Sequence, residues 1–278
     1  MCEKCGAHFI DKYVQESNDQ SLCLNQLPPV NSSQNLLQET PILNKLNINS
    51  TVVTPIKVEK FVHWLQGYNE KEKYFLLTGF KFGSNIPYVG KREYRYSKNL
   101  KSANENPDIL REFFFKEVKA GRVDGPFDVP PFSNLQISPL GLVPKKKIGE
   151  YRIIHHLSYP DQLSVIDGIP QDMCTVQYQT IDDAVSLLKF HGKGSLMSKT
   201  DLENSYRLVP INEKDHELLG FTVDGKFYYD KTLPMGVSYS CNLFEKFSTS
   251  IHWLVDHKLE SAGCVHVLED FLFVGPPN

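Results

Sequence analysis

At 278 residues, 41% hydrophobic and 23% charged, the chain is long enough for one large domain or two small ones and apolar enough to be mostly globular. No apolar run reaches the roughly 18 residues of a membrane span. The start, Met1-Cys-Glu-Lys-Cys5, lacks the apolar core of a signal peptide, so no membrane partner is expected.

The net charge of −3 hides an asymmetry. Lys and Arg against Asp and Glu count 3 to 5 over residues 1–50, 18 to 11 over 51–156, and 9 to 17 over 157–278. A basic middle suits a phosphate backbone and an acidic end suits cations. A solvated surface with chance imbalance accounts for the same counts. Six scattered cysteines without a signal peptide imply reduced thiols inside the cell, in cytoplasm or nucleus.

Residues 1–55 are rich in Asn, Gln, Ser and Pro and are expected to be a disordered tail. Cys2, Cys5 and His8 hint at zinc, but a knuckle needs His where Ile10 stands, and only Cys23 follows nearby. Residues 56–105 form a basic upstream segment. Val58, Phe61, Val62 and Leu65 recur at helical spacing, and a second short helix is expected before Gly83. From there to Lys101 the chain is basic and polar, an extended surface segment.

Asn106 is placed to cap a helix that begins at Pro107 and stops at Gly121. Residues 140–156 predict a hairpin. Lys145, Lys146 and Lys147 occupy its turn, and Arg152 starts the return strand. Four cations on one hairpin suit a triphosphate; a charged hairpin tip is the plainer reading. Thr180 begins a helix with Asp182 and Asp183 in its first turn, and a strand ending at Asp201 follows. Asp224-Gly225 between alternating apolar residues signals a hairpin. Leu233-Pro-Met-Gly236 then turns into a helix whose apolar face holds Leu243, Phe244, Phe247, Ile251 and Leu254. The last element, residues 266–275, is a hairpin with Glu269 and Asp270 at its tip.

Two adjacent acids at the end of apolar strands repel, and a divalent cation offsets that cost. If the Asp201 strand pairs with this hairpin, three carboxylates converge, enough to hold two Mg²⁺ ions for phosphoryl transfer. Taken singly, each is also an ordinary turn acid.

The ordered set of segments over residues 106–278 resembles the fingers and palm of a reverse transcriptase. The order is basic hairpin, strand with aspartate, helix, hairpin, Leu-Pro-x-Gly turn, helix, acidic hairpin. Ser138-Pro-Leu-Gly-Leu-Val-Pro-Lys-Lys146, Ile154-His-His-Leu-Ser-Tyr-Pro160, Leu233-Pro-Met-Gly236, Leu65-Gln-Gly-Tyr68 and Leu77-Thr-Gly-Phe-Lys-Phe-Gly83 are most similar to retrotransposons of the DIRS type. The resemblance implies an α+β right-hand polymerase fold: fingers over 106–160, and over 161–278 an antiparallel palm sheet backed by helices, truncated before the thumb. It also implies an RNA-directed DNA polymerase using Mg²⁺, with Mn²⁺ as a substitute, acting on a primed RNA or DNA template with deoxynucleoside triphosphates.

By the same resemblance Asp201, Glu269 and Asp270 are catalytic metal ligands, with the Leu202 carbonyl. Tyr206 stacks under the incoming sugar, or packs as a core aromatic. Lys146 and Arg152 hold the β- and γ-phosphates, and Met235 and Gly236 line the nucleotide and template side. The family has Tyr or Phe, any residue, then Asp-Asp where this chain has Val267-Leu-Glu-Asp270. Glutamate moves its carboxylate by on the order of 1 Å, enough to cost ~100-fold in rate. With no thumb or RNase H segment after the hairpin, a fragment or a decayed, non-catalytic binding remnant of a retrotransposon polyprotein is the other expectation.

Overall fold

The computed structural model describes residues 52–147, 149–258 and 263–277. The expected tail and Cys2, Cys5 and His8 lie outside the described residues, apart from the tail's last four positions. The chain divides into two units. One holds residues 52–177 and 204–247, the other 178–203 and 248–277.

The larger unit begins with α1 (Val58–Trp64) and α2 (Glu70–Phe82). The Asn69 side chain caps α2 by accepting from the Lys71 and Glu72 amides. Phe61, Phe80 and Phe247 meet edge to face at 5.0–5.9 Å between ring centres, with Leu65, Leu76 and Leu77 buried around them. The stretch to Lys101 is extended as expected, with Lys91, Tyr94, Tyr96 and Lys98 exposed, but it is not wholly a surface segment. It forms β1 (Arg95–Tyr96) and leads to α3 (Lys101–Asn104), and it buries Ile86, Tyr88 and Ser97. Arg92, partly exposed, pairs with buried Asp215 at 2.7 Å and Glu217 at 2.5 Å.

Helix α4 (Pro107–Lys119) starts where expected, but Asn106 does not cap it. The Asn106 side-chain amide instead donates to the Ser102 carbonyl. The end is a Schellman turn. Gly121 adopts φ = 73°, its N–H donates to Val118 and that of Arg122 to Glu117. Phe114 of α4 packs on Phe221 at 4.4 Å, in a core with Leu110, Val123, Leu140, Leu142 and Val223.

The strands of this unit are β2 (Val123–Phe127), β3 (Gln136–Ile137), β4 (Leu140–Pro144), β5 (Tyr151–His155), β7 (Gly220–Val223) and β8 (Lys226–Asp230); β6 belongs to the smaller unit. β4 and β5 form the expected hairpin. β7 and β8 turn at Asp224 (φ = 50°) and Gly225 (φ = 75°), the left-handed pair that a tight hairpin needs. They do not pair with the Asp201 strand. They join a mixed five-stranded sheet ordered β1-β3-β7-β8-β2.

The smaller unit holds α5 (Ile181–His191), β6 (Leu196–Asp201), β9 (Gly263–Val267) and β10 (Asp270–Gly275), with the second half of α6 (Ser240–Lys258). α5 starts in a capping box, in which the Asp183 carboxylate accepts from both the Thr180 amide (2.6 Å) and hydroxyl (2.8 Å). The sheet is antiparallel, ordered β6-β10-β9. Alternation sorts its side chains. Cys264, His266, Phe271 and Phe273 share one face, where Phe271 and Cys264 pack with Val255 and Ile251 of α6. Lys199, Asp201 and Asp270 share the other. α5 covers the far end of that second face, where a Cβ on Gly263 would meet Leu187 at 2.8 Å. No helix among the described residues is long and apolar enough to cross a membrane.

Candidate functional site

The register of β6 on β10 sets Asp270 directly opposite Asp201. Opposed residues of an antiparallel pair project to the same side with Cβ atoms about 4.5–5.5 Å apart. Leu202 extends the pairing, its N–H donating to the Glu269 carbonyl at 3.1 Å. Glu269 itself sits with Leu268 in the two-residue turn from β9 to β10. Leu268 holds φ = 54°, a left-handed conformation that costs a leucine about 1–3 kcal/mol. Strain of that kind persists where the surroundings demand it, and here it sits at the base of the acids.

The structure thus gathers Asp201, Leu202, Glu269 and Asp270 at one end of one sheet. Their carboxylates do not all close to within 4.8 Å of one another. A cation already sits among them: Lys199, two residues before Asp201 and on its face, reaches Asp270 with its Nζ at 2.9 Å. Its hydrogen bond to Asp270, then the charges of Asp270 and Asp201, push the Lys199 pKa up. Glu269 is half-buried, and its Oε2 is buried with no hydrogen-bond partner among the described residues. A buried, unsatisfied carboxylate oxygen is costly. The donor set is all oxygen, which suits a hard cation such as Mg²⁺ or Mn²⁺, and the orphaned Glu269 oxygen fits it.

The other candidates belong to the larger unit. On the β4–β5 hairpin, Glu150 takes up two of the four expected cations, Lys147 at 2.5 Å and Lys145 at 3.9 Å. The acid lies in the same turn, which the reading of four available cations overlooked. Lys146 and Arg152 are exposed, and neither has a side-chain partner among the described residues. Tyr206 is 6% exposed and stacks on Phe244 at 5.0 Å, with its hydroxyl 3.4 Å from Cys241 Sγ. That packing is what the core-aromatic alternative describes.

Met235 is exposed in the turn before α6, and Gly236 is pressed against β5. A Cβ there would lie 2.3 Å from the His155 carbonyl. Gly236→Ala is therefore expected to cost about 1–3 kcal/mol in urea denaturation, since backbone must yield to the methyl.

One feature of the larger unit had no sequence signal. Arg207 lies between Glu117 (2.9 Å) and Asp230 (2.7 Å). Arg122 also pairs with Glu117 at 2.5 Å, and His155 Nδ1 with Asp230 at 3.1 Å. All five side chains are mostly buried. A cavity of about 220 Å³ in the same unit, lined by Val53, Asp124, His216, Tyr229 and Lys231, includes none of the candidate residues.

No protein-family model matches the chain, and no curated protein does. Solved structures do match. One is the foamy viral protease-reverse transcriptase dRH in complex with double-stranded DNA, at TM-score 0.50 and 20% identity, over 82% of this chain and 40% of that one. Another is the prototype foamy virus protease-reverse transcriptase CSH mutant, at TM-score 0.51 and 19% identity, over 81% and 30%. The chain spans less than half the length of these proteins. At such identities the likeness is one of fold: mixed helix and sheet resembling, in part, a reverse transcriptase polymerase domain.

Proposed function

We propose that this chain carries the fingers and palm of an RNA-directed DNA polymerase, joining deoxynucleoside triphosphates to a primer 3′-hydroxyl on an RNA or DNA template. The observation that carries the proposal is the register of Asp201 opposite Asp270, with a buried Glu269 oxygen, unsatisfied among the described residues, in the adjoining turn. The fold likeness supports it, and the motifs' similarity to DIRS-type sequences supports a retrotransposon origin.

Asp201, Glu269, Asp270 and the Leu202 carbonyl would hold Mg²⁺, or Mn²⁺ in its place. The ions would supply a lowered pKa at the primer hydroxyl and charge neutralisation at the pyrophosphate. The protein's own part is positioning. The β6–β10 ladder fixes two carboxylates on one side of the sheet end before substrate arrives, so little reorganisation remains for the reaction. Lys199 releases Asp270 as cations and phosphates enter. Lys146 and Arg152, a point charge and a planar fork without side-chain partners among the described residues, take the β- and γ-phosphates. Met235, exposed beside Gly236, lines the nucleotide and template side. Base pairing supplies sequence, so the protein reads only shape and backbone.

Glu269 also favours a second reading, a binding remnant that keeps the basic hairpin but not the chemistry. Primer extension on an RNA template, in Mg²⁺ and then Mn²⁺, tests both. Glu269→Asp is expected to raise incorporation by up to ~100-fold by removing a displacement on the order of 1 Å. Binding of primer-template without extension by either protein favours the remnant.

A further inference from the structure

We propose that His252, Asp256 and Cys264 form a zinc site, separate from the acids at the sheet end, that ties helix α6 to strand β9. His252 and Asp256 are four residues apart and share one face of α6, with His252 Nε2 3.1 Å from Asp256 Oδ2. Cys264, 4% exposed, lies on the sheet face that packs against α6. One ligand atom from each of the three lies within 4.8 Å of the others, and this is the one such group of His, Cys, Asp and Glu among the described residues.

Ligands on a tetrahedral Zn²⁺, with bonds of about 2.0–2.3 Å, stand roughly 3.3–3.8 Å apart. The His–Asp pair, at 3.1 Å, needs to open by only a few tenths of an ångström, and a small side-chain rotation brings in the sulfur. The donor mix of nitrogen, oxygen and sulfur selects Zn²⁺ over Mg²⁺. An i,i+4 ion pair accounts for His252 and Asp256, and apolar packing for the burial of Cys264; the convergence of all three ligand atoms on one point is what points to an ion.

The surroundings complete the site. His266, two residues after Cys264 and on the same face, places its Nδ1 2.8 Å from His252 Nδ1. The His266 backbone N–H is held by Gln179 Oε1 at 2.9 Å. In the site, His252 Nδ1–H donates to His266, which fixes the tautomer and leaves Nε2 for the ion. Binding releases the Cys264 thiol proton to solvent and forms a thiolate–zinc bond. Asp256 is 43% exposed, so water reaches the fourth position. Because β9 leads directly into the turn bearing Glu269, the ion would stiffen the acidic hairpin from its opposite face.

The test is Co²⁺ titration of the full chain, followed by displacement with Zn²⁺. The expected result is a thiolate-to-cobalt charge-transfer band that saturates at one equivalent and disappears as zinc is added. The band is expected to persist in Asp201→Asn, which lacks a sheet-end acid, and in the Cys2→Ser/Cys5→Ser double variant. Cys264→Ser should abolish it. Asp256→Asn, altered at a half-exposed position that folding tolerates, should weaken zinc binding by at least ~10–100-fold. Absence of the band in the parent chain overturns the proposal. So does a band that survives Cys264→Ser or vanishes with the Cys2 and Cys5 changes, or an affinity untouched by Asp256→Asn.

Discussion

Arg207→Ala is expected to cost about 3–5 kcal/mol of folding stability, the usual penalty for removing one partner of a buried ion pair. The Arg207 side chain is 16% exposed and its two carboxylates, Glu117 and Asp230, 7% and 5%. Among the described residues, removing the guanidinium leaves Glu117 with Arg122 and Asp230 with His155 as their remaining charged partners. Burial works against the charge on Asp230, but the charge of Arg207 and the hydrogen bond from His155 outweigh it and hold its pKa below the usual carboxylate range. Burial likewise opposes the charge on Glu117, and the hydrogen bond from Arg122 and the charge of Arg207 prevail.

A depressed folded-state pKa gives stability that is present above the unfolded value and lost as pH falls through the folded one. The parent chain should therefore keep this contribution at neutral pH and lose it only below the ordinary carboxylate range. Arg207→Ala, whose carboxylates lose that support, should unfold at a higher pH on acid titration. Urea denaturation at neutral pH gives the magnitude, and Arg207→Lys should fall between, keeping the charge but not the two-sided fork. A loss below about 1 kcal/mol would show that the pairs behave as exposed ones.

Asp201→Asn is expected to lower single-turnover nucleotide incorporation by ~1000-fold or more. The loss of one carboxylate ligand removes several kcal/mol of charge stabilisation, and each 1.36 kcal/mol is a factor of ten. The same change should not lower thermal stability. Asp201 faces Asp270 across the ladder, and like charges in that position oppose pairing. An asparagine removes the repulsion while keeping the shape. A folded, equally or more stable protein without activity separates a site acid from a structural one. A variant that loses both would place Asp201 among the structural residues.

Local signals carried much of this fold. Asp224-Gly225 marked its own hairpin because two successive left-handed residues are cheap only for a few residue types. Thr180 with Asp183 marked the start of α5 because each satisfies the other's neighbouring donors. The meeting of Asp201 with Asp270 followed from supposing that two strands of matching apolar pattern pair, and they do.

What the sequence hid is non-local. The β7–β8 hairpin chose β2 and β3, some ninety positions upstream, as its sheet partners, and nothing in an alternating pattern names its partner. Arg207 finds Glu117 ninety residues away. Asn106 had the right position for a cap, but its side chain is held the other way, its Nδ2 donating to the Ser102 carbonyl. Lys199 was legible in principle, since two residues before Asp201 means the same face of a strand. The His252, Asp256 and Cys264 grouping needed a helix and a strand to be placed side by side before any spacing could reveal it.

The proposal that Asp201, Glu269 and Asp270 make a nucleotidyl-transfer site meets its sharpest test in single-nucleotide incorporation with enzyme in excess over a short primed RNA template, in Mg²⁺ and in Mn²⁺, for the parent chain, Glu269→Asp and Asp201→Asn. Excess enzyme removes dependence on how tightly the duplex is gripped. The expected result is primer extension by the parent chain, faster extension by Glu269→Asp, and none above background by Asp201→Asn. Primer-template binding with no extension by the parent chain or by Glu269→Asp in either metal would contradict it, as would equal extension by Asp201→Asn.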